Sequence, residues 1–87
     1  MEKRIGFVGI ILEDRERSSE EVNGILSQYG HLIVARLGIP RPNGHEEAVI
    51  TLVVEATNDE VGAVTGKLGA IRGVSVKSAL SRTPQTL

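Results

Sequence analysis

The side chains equipped for chemistry are few, and they fall in three groups. The first is a pair of histidines, His31 and His45, the latter followed directly by Glu46 and Glu47. Imidazole is the commonest protein ligand for a transition metal, and carboxylates add hard oxygen donors, so the group suggests a metal site. The histidines stand fourteen positions apart, with no H-x-H pair and no cysteine, so such a site would be shared between subunits. The plainer account makes His31 a polar residue at a strand start and His45 part of an exposed turn.

The second group is the charged run Asp14-Arg15-Glu16-Arg17, to which Arg36 can be added. A guanidinium pairs bidentately with carboxylate or phosphate, so Asp14, Arg15 and Arg36 could hold a small anionic or zwitterionic ligand. A solvated charge cluster is the alternative. The third group is Gly62, Gly66 and Gly69, flanked by Ala63 and Ala70. At ~100° per residue they share one stripe of a helix, and each costs about 0.8–1 kcal/mol relative to alanine. Close approach by another subunit, a ligand or a partner protein would account for them, as would drift on an exposed helix.

Other chemistry is excluded. Gly66-Lys67 lies inside a helical pattern, and its spacing is wrong for a phosphate-binding loop. Ser18, Ser19, Ser27, Ser75, Ser78 and Ser81 read as caps, surface positions or strand ends, with no base to activate them. The absence of cysteine removes disulfides, thiolate nucleophiles and Cys-ligated metals. The chain therefore reads as non-enzymatic and without a cofactor. Ten basic and eleven acidic residues are interspersed, and Phe7 and Tyr29 are the only aromatics. Neither a basic stripe nor a stacking platform results, so direct nucleic-acid binding is not expected. No apolar run approaches the ~20 residues of a membrane span. The charged start Met1-Glu2-Lys3-Arg4 precedes an apolar run that ends in Glu13-Asp14-Arg15 without a small-residue cleavage site. A cytoplasmic protein is expected.

The elements that must position these groups follow from periodicity. Arg4 to Asp14 reads as a strand with Ile5, Phe7, Gly9 and Ile11 on one face and Gly6, Val8, Ile10 and Leu12 on the other. Both faces are apolar, which places this strand mid-sheet with cover on both sides. Ser18 and Glu21 form a capping box for a first helix with Val22, Ile25, Leu26 and Tyr29 as its apolar stripe and Gly30 as its end. A second strand runs from His31 to Ile39, a turn spans Pro40 to Gly44, and a third strand covers Ala48 to Ala56. Thr57 and Glu60 form a second capping box, ahead of the stripe Val61, Val64, Leu68 and Ile71 and a stop at Gly73. Val74 to Leu80 alternates as an edge strand. Residues 1–80 thus form a single domain, and 81–87 a flexible tail.

The order βαββαβ predicts an α+β, ferredoxin-like fold: a four-stranded antiparallel sheet with two helices on one face. Two helices leave the other sheet face bare, so a homo-oligomer, dimer or tetramer, is expected to bury that face or extend a sheet edge.

From Leu26 through Pro40 and from Thr65 through Lys77 the chain resembles a known family, and the resemblance extends from Arg4-Ile5-Gly6 to Lys77. It is similar to the iron-only hydrogenase system regulators, whose members are ACT-like domains akin to the C-terminal domain of the nickel-responsive regulator. The resemblance implies a role near iron-only hydrogenase expression or maturation. The nickel site does not carry over, because cysteine and H-x-H are missing. The Pro-Gly common after strand one of amino-acid-binding ACT domains is replaced by Glu13-Asp14-Arg15-Glu16-Arg17, which argues against amino-acid binding. No residues remain for a DNA-binding domain.

The expected function is a regulatory or sensing module whose small-molecule effector sits at a subunit boundary and whose transcriptional effect passes through a protein partner. Two alternatives stand beside it. One is a metal sensor using His31 and His45. The other is a structural partner of a hydrogenase maturation protein, docking on Gly62, Gly66 and Gly69.

Overall fold

The computed structural model describes residues 2–83. Its elements are β1 (Arg4–Leu12), α1 (Arg15–Gln28), β2 (Ile33–Pro40), β3 (Ala48–Ala56), α2 (Asn58–Gly69) and β4 (Val74–Leu80), with short 3-10 turns at Gly30–Leu32 and Pro42–Gly44. The four strands form one antiparallel sheet in the order β2-β3-β1-β4. β1 is central and β4 is an edge, as their patterns predict. Both helices pack on one face, where Val8, Ile10, Leu12, Ile50, Leu52, Val54 and Val74 meet Val22, Leu26, Val61, Val64 and Leu68 in one core. Full burial of such a side chain contributes about 1.5–3 kcal/mol, so this single layer holds the fold together.

The start of α1 differs from expectation. The helix begins at Arg15 with Asp14 as N-cap, whose carbonyl accepts from the Arg17 and Ser18 N–H groups at 3.2 and 3.1 Å. Ser18 is therefore no cap; it lies in the first turn and is 2% exposed. The reason is spacing: Ser18, Val22 and Leu26 are four apart, so the buried stripe reaches back one turn and carries the small serine with it.

Strand two also starts later than expected. Gly30–Leu32 form a 3-10 turn in which the Leu32 N–H bonds the Tyr29 carbonyl at 3.0 Å and Leu32 drops into the core. Gly30 keeps a negative φ and serves no left-handed cap.

The second capping box forms as written. Glu60 N–H donates to Thr57 Oγ1 at 3.1 Å, and Thr57 N–H donates to Glu60 Oε1 at 2.9 Å. That backbone donor holds the Glu60 carboxyl below the ordinary glutamate range. Gly73, at φ +80°, turns the chain into β4, and its carbonyl accepts from Glu13 N–H at 2.8 Å. A side chain there would be strained in the left-handed region, although it would meet Glu13 only at ordinary contact distance. The Ser81 N–H bonds the Ile5 carbonyl at 2.8 Å, and the Arg4 guanidinium reaches the Ser81 carbonyl at 3.2 Å. Residues 84–87 of the expected tail lie outside the described residues.

Candidate functional site

The Arg15 and Arg36 of the charged group come together across a cleft between the N-terminal half of α1 and the β2–β3 end of the sheet. Arg15, Ser19 and Asn23 lie at i, i+4 and i+8, so the helix presents them as one row towards β2. The sheet contributes Arg36, Gly38, Ala48 and Ile50, with Leu12 from β1 and with Ile39, Pro40 and Val49 nearby. The cleft encloses about 230 Å³. Arg36 spans it, its Nη2 donating to Asn23 Oδ1 at 2.5 Å. Asp14 is not part of the wall; its carbonyl is spent on capping α1. Ser19, Asn23 and Gly38 carry no motif, and nothing in the sequence singles them out.

The histidines sit at opposite ends of β2, whose eight residues span about 25 Å at ~3.3 Å per residue. His31 stacks on Tyr29, with ring centroids 6.4 Å apart, and Lys67 Nζ lies 5.1 Å from the Tyr29 ring centre. His45 Nδ1 is 3.5 Å from Glu47 Oε1 in the exposed β2–β3 connection, where Arg41 also meets Glu46 at 3.6 Å. One subunit thus keeps His31 and His45 apart. Among the described residues no three His, Cys, Asp or Glu side chains cluster as a metal site would require.

Gly62, Gly66 and Gly69 face solvent along α2, and a methyl group added at any of them would meet nothing within 4 Å. The subunit itself does not demand glycine there. Gly66→Ala is expected to stabilise the fold by about 0.8–1 kcal/mol through helix propensity alone. A thermal melt checks this, and a drop in melting temperature would show that something packs against the stripe.

The helix-free face is built from cross-strand rows. Ile39, Val49, Ile11 and Ser75 form one row, Leu37, Thr51, Gly9 and Lys77 the next, and Ala35, Val53, Phe7 and Ala79 the third. Phe7 is 50% exposed and Leu37 64%, and Ile5, Ile11, Ile39 and Val53 are also exposed. This is a contiguous apolar surface with Lys77, Ser75 and Glu55 towards its margins.

The TM1266-like family, which bears the provisional description of iron-only hydrogenase system regulator, matches residues 4–78. Among solved structures, protein TM1266 from Thermotoga maritima superposes with a TM-score of 0.85 at 40% identity, covering 91% of this chain and 98% of that one. The ACT domain of GTP pyrophosphokinase from Chlorobium tepidum gives 0.73 at 18% identity, over 88% of this chain and 99% of that one. Apo CPII from Thiomonas intermedia, a nitrogen regulatory PII-like protein, gives 0.55 at 14% identity, over 97% and 99%. At these identities the last two show the fold alone, which is ACT-like. No curated protein matches the chain. With three quarters and more of its length matched, the chain belongs to the TM1266-like family of iron-only hydrogenase system regulators.

Proposed function

We propose that the chain is a non-enzymatic regulatory module of an iron-only hydrogenase system, closed into a homo-oligomer over the helix-free sheet face. Its effector enters the cleft beside α1, and its output passes through a protein partner rather than through contact with DNA. The observation that carries this reading is the bare apolar face around Phe7. Soluble monomers rarely leave so much contiguous apolar surface in water, whereas an interface core has this composition with polar residues at its rim.

The face also suits a second copy of itself. Phe7 stands out as a knob, and Gly9, two residues along the same strand, leaves bare backbone beside it. A twofold axis between them would set Phe7 of each copy over Gly9 of the other, which is the self-complementarity an isologous interface needs. A net charge of −1 without a basic stripe supports a protein partner over DNA.

Light scattering at micromolar concentration is expected to give a dimer or tetramer. Phe7→Glu places a charge at the centre of the face and is expected to weaken association at least ~100-fold, or about 2.8 kcal/mol, leaving a folded monomer. A wild-type chain that is a well-folded monomer overturns the reading, as does a Phe7→Glu variant of unchanged mass.

A further inference from the structure

The α1 cleft has a lopsided chemistry. Arg15 and Arg36 bring two guanidinium groups to its rim, and no acidic side chain lines it. Among the described residues neither arginine makes an ion pair. Arg36 donates once to Asn23, which fixes the plane of its guanidinium across the cleft and leaves its remaining N–H groups for a ligand. The floor is different: Leu12, Ala48 and Ile50 are buried apolar residues.

Room for a guest comes from Gly38, the residue of β2 that faces this floor. A methyl group added there would touch only Ile50 Cγ1 at 3.9 Å, an ordinary van der Waals contact. The backbone there tolerates a side chain, and the missing one leaves the space open.

We propose that this cleft binds a small organic carboxylate with a short apolar body, the carboxylate held by Arg36 and Arg15 and the body lying on Leu12, Ala48 and Ile50. This rests on the reading of the chain as an effector-responsive module, but not on its oligomeric state. Charge selects an anion, and planar guanidinium forks favour carboxylate or phosphate geometry. The apolar floor selects a hydrocarbon body, which inorganic phosphate lacks. The absence of an acidic lining residue leaves no counter-charge for an ammonium group, so a free amino acid is disfavoured. A volume of about 230 Å³ limits the guest to a handful of carbons.

The test is an NMR titration of the full chain with isovalerate, leucine, isoamylamine and inorganic phosphate, each sample also sized by sedimentation. Isovalerate is expected to shift the amides of Asn23, Arg36, Gly38 and Ala48, with leucine, isoamylamine and phosphate at least tenfold weaker. Arg36→Gln is expected to lower isovalerate affinity at least tenfold. Gly38→Val is expected to abolish the shifts while the melting temperature stays within a few degrees of wild type. Absence of isovalerate shifts overturns the proposal, as does equal binding of leucine or phosphate, or undiminished binding by Gly38→Val. Sizing keeps the two readings apart: an oligomer that ignores isovalerate refutes the carboxylate site alone, and a monomer that binds it refutes the oligomer alone.

Discussion

Gly6→Ala is expected to lower the thermal midpoint by more than about 10 °C. Gly6 sits on the helix side of β1 opposite Leu80, where β4 runs unusually close. A methyl group there would run into the Ala79 carbonyl oxygen and stand 2.6 Å from Leu80 Cδ2 and 2.9 Å from Leu80 Cα. Leucine's methyl can swing away, but the two backbone atoms cannot without opening the β1–β4 ladder. Overpacking typically costs about 1–3 kcal/mol, and a clash with main chain belongs at the upper end. For a domain of this size each kcal/mol moves the midpoint by roughly 4–8 °C. Circular dichroism melts decide it, and a midpoint within 2 °C or so of wild type would mean that β4 is not seated against Gly6.

Leu52→Ala carries the second large effect, about 2–5 kcal/mol, and its neighbour supplies the control. Leu52 is 1% exposed in the middle of β3, whereas Val53 points to the opposite face and is 38% exposed. Removing Leu52's side chain loses its transfer free energy and leaves a cavity among close-packed neighbours. Val53→Ala makes no such cavity within the subunit and should cost less than ~1 kcal/mol when measured on the monomeric Phe7→Glu background. Denaturant titration gives both numbers. A Leu52→Ala cost below ~1 kcal/mol would contradict the assignment of the core to the helix side. Since whole domains are stable by only about 5–15 kcal/mol, the larger loss would remove a substantial fraction of the total.

How legible the molecule was in its sequence depended on whether one local signal or two competed at each point. The bounds of β3 and β4 are those of their alternating runs, with the Thr57 cap closing β3 and the Gly73 turn opening β4. Thr57 and Glu60 had no rival, and the box formed. Asp14 and Ser18 did compete, since both are good cap residues, and burial of the Ser18–Val22–Leu26 row settled the start of α1 in favour of Asp14. The site was half legible. Arg15 and Arg36 were visible as charge, and the topology brings them to one cleft. Asn23 and Gly38 were not, because a hydrogen bond from strand to helix and a missing side chain on an edge strand leave no periodic trace. The bare sheet face was legible from β1 alone, whose two apolar faces cannot both be covered by helices lying on one side.

The place of β1 at the centre of the sheet has a consequence for how the chain is made. β1 leaves the ribosome before its sheet neighbours, yet these are the third and fourth strands, β3 and β4, and Gly6 meets Leu80 only after all the intervening elements have been made. At about 5–20 residues per second, that wait is several seconds, and until β3 emerges a strand with two apolar faces has no partner on either edge. The β2–β3 hairpin can close early, because its pairing is local, while the contacts that finish the sheet span the largest loops. Completion of the sheet is thus gated by β4, and a nascent chain stalled before Val74 would hold the β2–β3 hairpin and both helices around a strand that still lacks half its ladder.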